Sequence, residues 1–402
     1  MKVITFLGVG TYERVTYVWN NRTHTTELFP EALGIWLQKD ITEMLVLLTE
    51  AAKHSKNWER LRARLAGTMV LHPQDIPSGQ NETELWKIFD KLTTSLSAGD
   101  DIVFDITHAF RSIPILALLA VTFLRTAQAV KIKHLLYGAY DAREQGTNRA
   151  PVFDLTPFLN LLEWVPATDQ FIRTGNGQAL AELLPKDPQP LQELGDSIKV
   201  IADGLQLLRP MHVMHEAAQL CHRIAAAAPT IGSTVPPFAT LLGRVREAYG
   251  RFGLTNPTDR NNAKIFLQQQ LSMVEWYADK GQIVHALSLA REWLPSLLCY
   301  HFGLDPMEKA NRDEMELLLN GGTVKDSRGN IVNESPHLSA WPGVPAGKRL
   351  RALWGSELKL ANLRNDVLHA GFRKNPQDPN AIIELTKKVI SELRTIAAEW
   401  QL

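Results

Sequence analysis

The sequence predicts an α/β domain followed by an all-α domain, and two observations carry that reading. Up to about residue 155 of 402, short β-branched or apolar runs alternate with amphipathic stretches, the pattern of a parallel sheet covered by helices. From about Leu155 onward the strand signal fades and nearly every periodic segment has helical spacing. The boundary is placed near residue 165, giving domains 1–165 and 166–402, the second including the connecting helices.

Taken in order, the strands of the first domain are Val3–Leu7, Glu43–Leu48, Thr68–Leu71, Ile102–Ile106 and Ile132–Tyr137. The helices between them are Pro30–Gln38, Trp58–Ala66, Glu82–Leu96 and Ser112–Ala127, with Asn81 and Glu84 as a capping pair. Val15–Trp19 and Thr25–Phe29, split by Asn20-Asn21-Arg22, read as a hairpin inserted after the first strand. This order is Rossmann-like. In the second domain, Pro185 to Pro190 and Thr230 to Pro237 punctuate the helices, and Gly321 to Pro345 reads as a long surface loop. The last helix, Ala381 to Trp400, sets Ile382, Leu385, Val389, Leu393 and Ile396 on one stripe.

The composition excludes several classes. With 45% hydrophobic and 21% charged residues the chain is ordinary globular protein, and 43 Lys plus Arg balance 43 Asp plus Glu. A nucleic-acid site must therefore be local. The cysteines, Cys221 and Cys299, lie far apart in apolar helical contexts, which excludes a disulfide framework and a Cys-rich zinc site and fits a reducing, cytoplasmic setting. No Asp/Glu/His cluster has metal-site spacing, and Asp100-Asp101 is a turn before a strand. MKVITFLGVG, interrupted by Gly8 and Gly10, reads as a first strand rather than a signal peptide. The longest apolar run, Ile113 to Leu124, holds a proline and is too short to span a bilayer.

In an open parallel sheet, ligands bind beyond the carboxyl ends of the strands, where helix N-termini favour anions. Gly8-Val9-Gly10-Thr11-Tyr12 follows the first strand, Pro77-Ser78-Gly79-Gln80-Asn81 the third, and Asp105-Ile106-Thr107-His108-Ala109-Phe110-Arg111-Ser112 the fourth. The last concentrates donors and one positive charge at a strand-to-helix junction, which suits phosphate. The bland alternative is that Asp105 and Thr107 cap the helix, His108 fills a polar niche and Arg111 is solvated. A nicotinamide site is disfavoured, because Glu13 stands where the G-x-G-x-x-G fingerprint needs its third small residue.

DITHAFRS after a hydrophobic strand, FLGVGTY at the start, and the run from Pro151 to Leu184 resemble the CARF domain of CRISPR-associated proteins. The resemblance covers most of the first 185 residues and implies a dimeric sensor that binds one ring-shaped oligoadenylate, commonly cyclic tetra-adenylate, between its strand ends. By position, Gly10, Thr11, Tyr12, Ser78, Thr107, His108, Arg111 and Ser112 become candidate ligand contacts. Some CARF domains also cut their ring ligand slowly, and His108 or Thr107 would be placed to assist.

Near the C-terminus, Leu363-Arg364-Asn365-Asp366-Val367-Leu368-His369-Ala370-Gly371 resembles the R-N-x-x-x-H form of the HEPN ribonuclease motif, and Gln282 to Leu298, with HALSLAREWL, resembles an earlier helix of that bundle. The residue types suit metal-independent RNA cleavage. The imidazole of His369 suits proton transfer or orienting the 2′-hydroxyl, Arg364 grips phosphate oxygens, and Asn365 hydrogen-bonds the phosphate or a neighbour. On an ideal helix five steps separate Arg364 and His369 by about 140° and about 7.5 Å, so a symmetric dimer is needed to place both around one groove. Taken alone, the residues also fit a bland reading, with Arg364 exposed and His369 favoured by the helix dipole. Arg209 and His215 meet a looser spacing and are taken as coincidence; Lys348-Arg349-Leu350-Arg351 guides RNA or is a solvated face; Trp276-Tyr277 and Trp293 are core.

The sequence thus leads to an expected homodimeric, cytoplasmic endoribonuclease of type III CRISPR defence, with a possible further assembly of dimers left open. It cuts single-stranded RNA without a metal or other cofactor and is activated by a cyclic oligoadenylate. The rival keeps the sensor but makes the helical domain a non-catalytic partner-binding module.

Overall fold

A computed structural model describes residues 1–41, 43–109, 113–234, 237–372 and 374–402. The chain divides into two compact units, Met1–Leu162 and Glu163–Leu402.

In the first unit, strands β1 (Lys2–Leu7), β2 (Val15–Trp19), β3 (Arg22–Thr26), β4 (Glu43–Leu48), β5 (Val70–Asp75), β6 (Asp101–Asp105), β7 (Lys131–Gly138) and β8 (Arg149–Asp154) form a sheet in the order β3-β2-β8-β7-β6-β1-β4-β5. The run β5-β4-β1-β6-β7 is parallel throughout. β8 joins antiparallel to β7, and the antiparallel hairpin β2–β3 docks on β8. Asn20 and Asn21 make the two-residue hairpin loop with φ of 46° and 65°. Both lie in the left-handed region that a type I′ turn requires and asparagine tolerates.

Helices α1 (Phe29–Trp36), α2 (Glu50–Lys53), α3 (Lys56–Leu65), α4 (Glu82–Thr94) and α5 (Ile113–Gln128) cover both faces of the sheet. The period-2 alternation of β1 divides its side chains between two cores. Val3 and Leu7 pack with Phe29, Leu33, Trp58 and Leu61 of α1 and α3. Ile4 and Phe6 pack with Ile88, Leu92, Val121 and Leu124 of α4 and α5. Burial on both faces explains why the central strands read as unbroken apolar runs. The Asn81 side chain accepts the Glu84 N–H at 3.0 Å, as the capping pair requires.

Several expectations are corrected here. The second strand of the hairpin runs Arg22–Thr26 rather than Thr25–Phe29, so that Arg22 pairs with Trp19 and Phe29 opens α1. The third expected strand of the sheet runs Val70–Asp75 rather than Thr68–Leu71, and β8 was not anticipated. Asp105 does not cap a helix: it is fully buried at the end of β6, while α5 begins at Ile113.

Beyond α6 (Thr156–Leu159) the chain is helical: α7 (Leu161–Thr174), α8 (Gln178–Leu183), α9 (Gln189–Gln206), α10 (Pro210–Thr234), α11 (Phe238–Tyr249), α12 (Ala263–Asp279), α13 (Ile283–His301) and α14 (Lys309–Leu319). The expected loop from Gly321 contains a short hairpin, β9 (Thr323–Lys325) and β10 (Ile331–Glu334), so this unit is not purely helical. Then follow α15 (Gly347–Arg351), α16 (Leu360–Leu368) and α17 (Pro379–Glu399). α10 runs through the expected break at Thr230, with Pro229 inside the helix. α13 is the central helix, packing on α12, α14, α16 and α17. Trp276, Tyr277 and Trp293 are buried in this core, and the Trp293 indole N–H donates to the Leu267 carbonyl at 2.9 Å.

Candidate functional site

In the first unit the chain passes from β1 to β4 and β5 on one side of the sheet and to β6 and β7 on the other. The carboxyl ends of β1 and β6 therefore flank a topological switch point, where such sheets open a crevice. A pocket of about 390 Å³ lies there. Thr11, Tyr12 and Glu13 after β1, and Thr107 and His108 after β6, line one side. Tyr137 and Gly138 of β7, with Tyr140 and Asp141 beyond it and Tyr17 of β2, line the other.

The pocket floor is held by a buried carboxylate. Asp105 accepts hydrogen bonds from the Thr5 hydroxyl at 2.6 Å and the Thr107 N–H at 2.8 Å, and also from the Thr107 side chain. Burial pushes its pKa up to about 6, against the pull of those donors. The Thr107 hydroxyl in turn accepts the Gly138 N–H at 2.8 Å, tying β6 to β7. Next to it, His108 Nε2 accepts the Phe29 N–H at 3.2 Å. That bond assigns the proton of the neutral ring to Nδ1. Burial lowers the His108 pKa to about 4, so the ring is neutral at pH 7. Tyr12 lies against it with ring centroids 4.1 Å apart.

The loop after β1 is pinned from below by Asn57, whose side-chain amide donates to the carbonyls of Gly8 at 3.0 Å and Gly10 at 2.9 Å. At the rim, the Tyr140 hydroxyl donates to Glu13, and the Arg143 guanidinium stacks over the Tyr140 ring at 4.0 Å.

Of the residues singled out in this unit, the structure brings Thr11, Tyr12, Thr107 and His108 together around one pocket. Gly10 is exposed beside it, and Ser78 is exposed in the loop after β5, away from the lining. Arg111 and Ser112 lie outside the described residues. Sequence reading missed Asn57, Tyr17, Tyr137 and Tyr140, and gave Glu13 no part in the site; their positions depend on the order of strands in the sheet.

In the second unit, α16 carries Arg364 and Asn365, and His369 caps its C-terminus with its N–H bonded to the Asn365 and Val367 carbonyls. Ala370 and Gly371, with φ of 52° and 73°, end the helix where the sequence placed its stop. Arg364 Nη1 donates to Asn365 Oδ1 at 2.9 Å, and Nη2 stands 3.8 Å from Glu292 Oε1 on α13. Glu292 is also paired with Arg291 at 2.8 Å and with Arg312 of α14. Burial lowers the pKa of both Arg364 and Arg312, though guanidinium stays charged at neutral pH.

Arg364 lines a second pocket of about 390 Å³, together with Glu292, Arg312 and Leu368. His369 is exposed and does not line it, so a single chain does not gather the guanidinium and the imidazole in one cavity. Arg209, set aside as coincidence, does line it, whereas His215 is bonded to the Thr255 carbonyl at 2.8 Å. In the basic stretch, Arg349 is paired with Glu392 at 3.1 Å and Glu399 at 2.9 Å, and Arg351 donates to the Leu318 carbonyl at 3.0 Å. Those two arginines are engaged within the helical unit. Among the described residues there is no group of three or more His, Cys, Asp or Glu that could hold a metal ion, and no helix is long and apolar enough to cross a membrane.

Residues 160–258 match the family model described as CRISPR-associated protein MJ1674, second domain. Over 329 residues the chain is 36% identical to CRISPR-associated protein MJ1674 of Methanocaldococcus jannaschii, covering 80% of this chain and 45% of that protein. The chain thus spans about half the length of the curated relative it matches. Among solved structures, Enterococcus italicus Csm6 bound to cyclic hexa-2'-fluoro-hexa-dAMP aligns over 100% of this chain and 94% of that one, with a TM-score of 0.47 and 12% identity. The sequence similarity and a sheet unit that precedes a helical unit are in keeping with the resemblance carried by the motifs: over four fifths of its length the chain is similar to the CRISPR-associated protein MJ1674.

Proposed function

We propose that the chain is a homodimeric endoribonuclease of type III CRISPR defence, cutting single-stranded RNA without a metal ion and activated by a cyclic oligoadenylate, cyclic tetra-adenylate foremost. The observation that carries the reading is the Arg364-Asn365-(x)3-His369 spacing at the end of α16, in a chain related to a CRISPR-associated protein. The switch-point pocket, with Thr11, Tyr12, Thr107 and His108 on its wall, supports a ring-binding role for the first unit. Dimerisation is supported by the outer face of α5, where Ile115, Leu119 and Phe123 are exposed beside Trp86 of α4. An apolar face of this kind marks an interaction surface, and a second copy pairing on it forms a two-fold dimer.

In this mechanism Arg364 stabilises the charge that develops on the scissile phosphate, and His369 exchanges the proton of the attacking 2′-hydroxyl or of the 5′-oxygen leaving group. The O2′–P bond forms as the P–O5′ bond breaks, leaving a 2′,3′-cyclic phosphate and a 5′-hydroxyl. Because one chain keeps His369 outside the Arg364 pocket, a second copy supplies the rest of the groove, and ring binding alters how the two copies meet. The rival, a ring-binding regulator with a non-catalytic helical unit, draws on that same separation.

The deciding experiment is cleavage of fluorescent single-stranded RNA in EDTA by the wild type and by His369→Ala, with and without cyclic tetra- and hexa-adenylate. Cleavage by the wild type alone, with one ring, supports the proposal. Ring binding without RNA loss in any arm favours the regulator.

A further inference from the structure

The pocket beside Arg364 contains more polar chemistry than the R-N-x-x-x-H motif supplies. Gln270 of α12 is 3% exposed and Ser288 of α13 is 8% exposed, and both line it. Gln270 Oε1, Ser288 Oγ and Arg364 Nε are buried without a hydrogen-bond partner. Buried polar groups are nearly always satisfied, and three orphans around one cavity mean that the fold alone does not use them. A serine inside a helix usually spends its hydroxyl on a carbonyl one turn back, as Ser296 does on Glu292 at 2.9 Å; Ser288 does not. Arg312 and Arg209 add two further guanidinia, and Glu292 is the carboxylate that stands among them. The lining is thus net cationic, with an amide and a hydroxyl between the charges and the ring of Phe266 on the wall.

Resting on the ribonuclease reading above, we propose that this cavity is a nucleotide subsite for the RNA strand, in which Arg312 holds a phosphate next to the scissile one while Gln270 and Ser288 hydrogen-bond the nucleotide between them. Glu292 acts as a positioning residue: it fixes the Arg312 guanidinium and keeps the Arg364 guanidinium near until phosphate oxygens take its place. The contributing residues come from the consecutive helices α12, α13 and α14 and from α16 some forty residues further on, so the subsite exists only in the folded unit.

The test measures binding of a fluorescein-labelled single-stranded RNA to the full chain in the non-cleaving His369→Ala background, as a function of salt. Arg312→Ala is expected to weaken binding about tenfold and to reduce the salt slope by about 1, since one phosphate contact is lost. Because Arg312 is also a partner of Glu292, Gln270→Leu and Ser288→Ala provide the second arm: each removes an orphan and is expected to raise the melting temperature while weakening RNA binding. Unchanged RNA affinity in all three variants overturns the subsite, even where the wild type cleaves RNA. Loss of affinity for cyclic tetra-adenylate in Arg312→Ala, with RNA binding intact, overturns it as well by assigning the cavity to the activator. Wild-type cleavage, measured separately, decides the ribonuclease reading itself.

Discussion

Replacing Thr107 by valine keeps the side-chain volume and deletes one hydroxyl, which the fold uses twice. It donates to the fully buried Asp105 and accepts the buried Gly138 N–H at 2.8 Å. A hydrogen bond to a charged group contributes about 1.5–3 kcal/mol, and a buried N–H left without an acceptor costs about 1–3 kcal/mol. Together Thr107→Val should cost about 3–5 kcal/mol, a large fraction of the ~5–15 kcal/mol that holds a typical domain. Thr107→Ser retains the hydroxyl and should stay within about 1 kcal/mol of the wild type. Urea unfolding measures the loss, and hydrogen exchange on peptides from β6 and β7 assigns it to the sheet unit. A cost below about 1 kcal/mol for the valine variant would refute the reasoning and return Thr107 to the list of residues free to meet a ligand.

The remaining predictions concern pH, packing and chemistry. His108 titrates at about 4 in the fold, below the 6.5 of an exposed imidazole, so the unfolded chain binds more protons between those values and stability falls as pH drops through that window. At ~1.4 kcal/mol per pH unit, the wild type should lose about 3 kcal/mol relative to His108→Phe between pH 7 and pH 4. Parallel stability curves for the two proteins would count against it. Asp105 works in the opposite sense, its contribution falling as pH rises from 3.8 through about 6, and the comparison of variants cancels it. In Gly138→Ala the new Cβ would stand 2.8 Å from Tyr17 Cε1 and 3.1 Å from the Phe29 ring, both in the core. Overpacking of that kind should cost about 1–3 kcal/mol and weaken ring binding, which calorimetry reads directly. Arg364→Lys keeps the charge but not the planar fork, and should lower kcat on RNA about 100-fold with ring affinity unchanged; near wild-type turnover would remove Arg364 from the phosphate.

The central strands, the longer helices between them and the first strand and turn of the sheet hairpin were legible because each follows a local rule, whereas the return strand was set three residues too far along, since Arg22-Thr23-His24 has a polar, loop-like composition. Val3–Leu7 and Glu43–Leu48 are apolar runs buried on both faces, and Asn20-Asn21 is a turn signal that fixes its own register. β5 was misplaced because His72, Pro73, Gln74 and Asp75 have no strand composition; they pair with β4 from a partly exposed edge. β8 was invisible for a similar reason, since Arg149–Asp154 includes Pro151 and owes its place to partners on both sides. In the site, Arg364 and His369 were readable as a spaced motif, whereas Gln270, Ser288 and Arg312 carry no mutual spacing. The role of Asp105 also escaped: a carboxylate at the end of a strand looks like a cap until the sheet closes over it.

The composition of β5 has a further consequence. Among the described residues no strand pairs with the outer side of β5, which leaves a row of backbone donors and acceptors at the margin of the sheet. Pro73, in register with Val46, has no N–H to offer, and Asp75 ends the strand with a charge. At the opposite margin β3 carries Arg22 and His24. Both borders thus discourage strand-to-strand growth between molecules, the route by which open sheets polymerise. The proline thus does at this margin what a covering helix or a closed barrel does elsewhere, withholding a donor from any strand that approaches the outer side of β5.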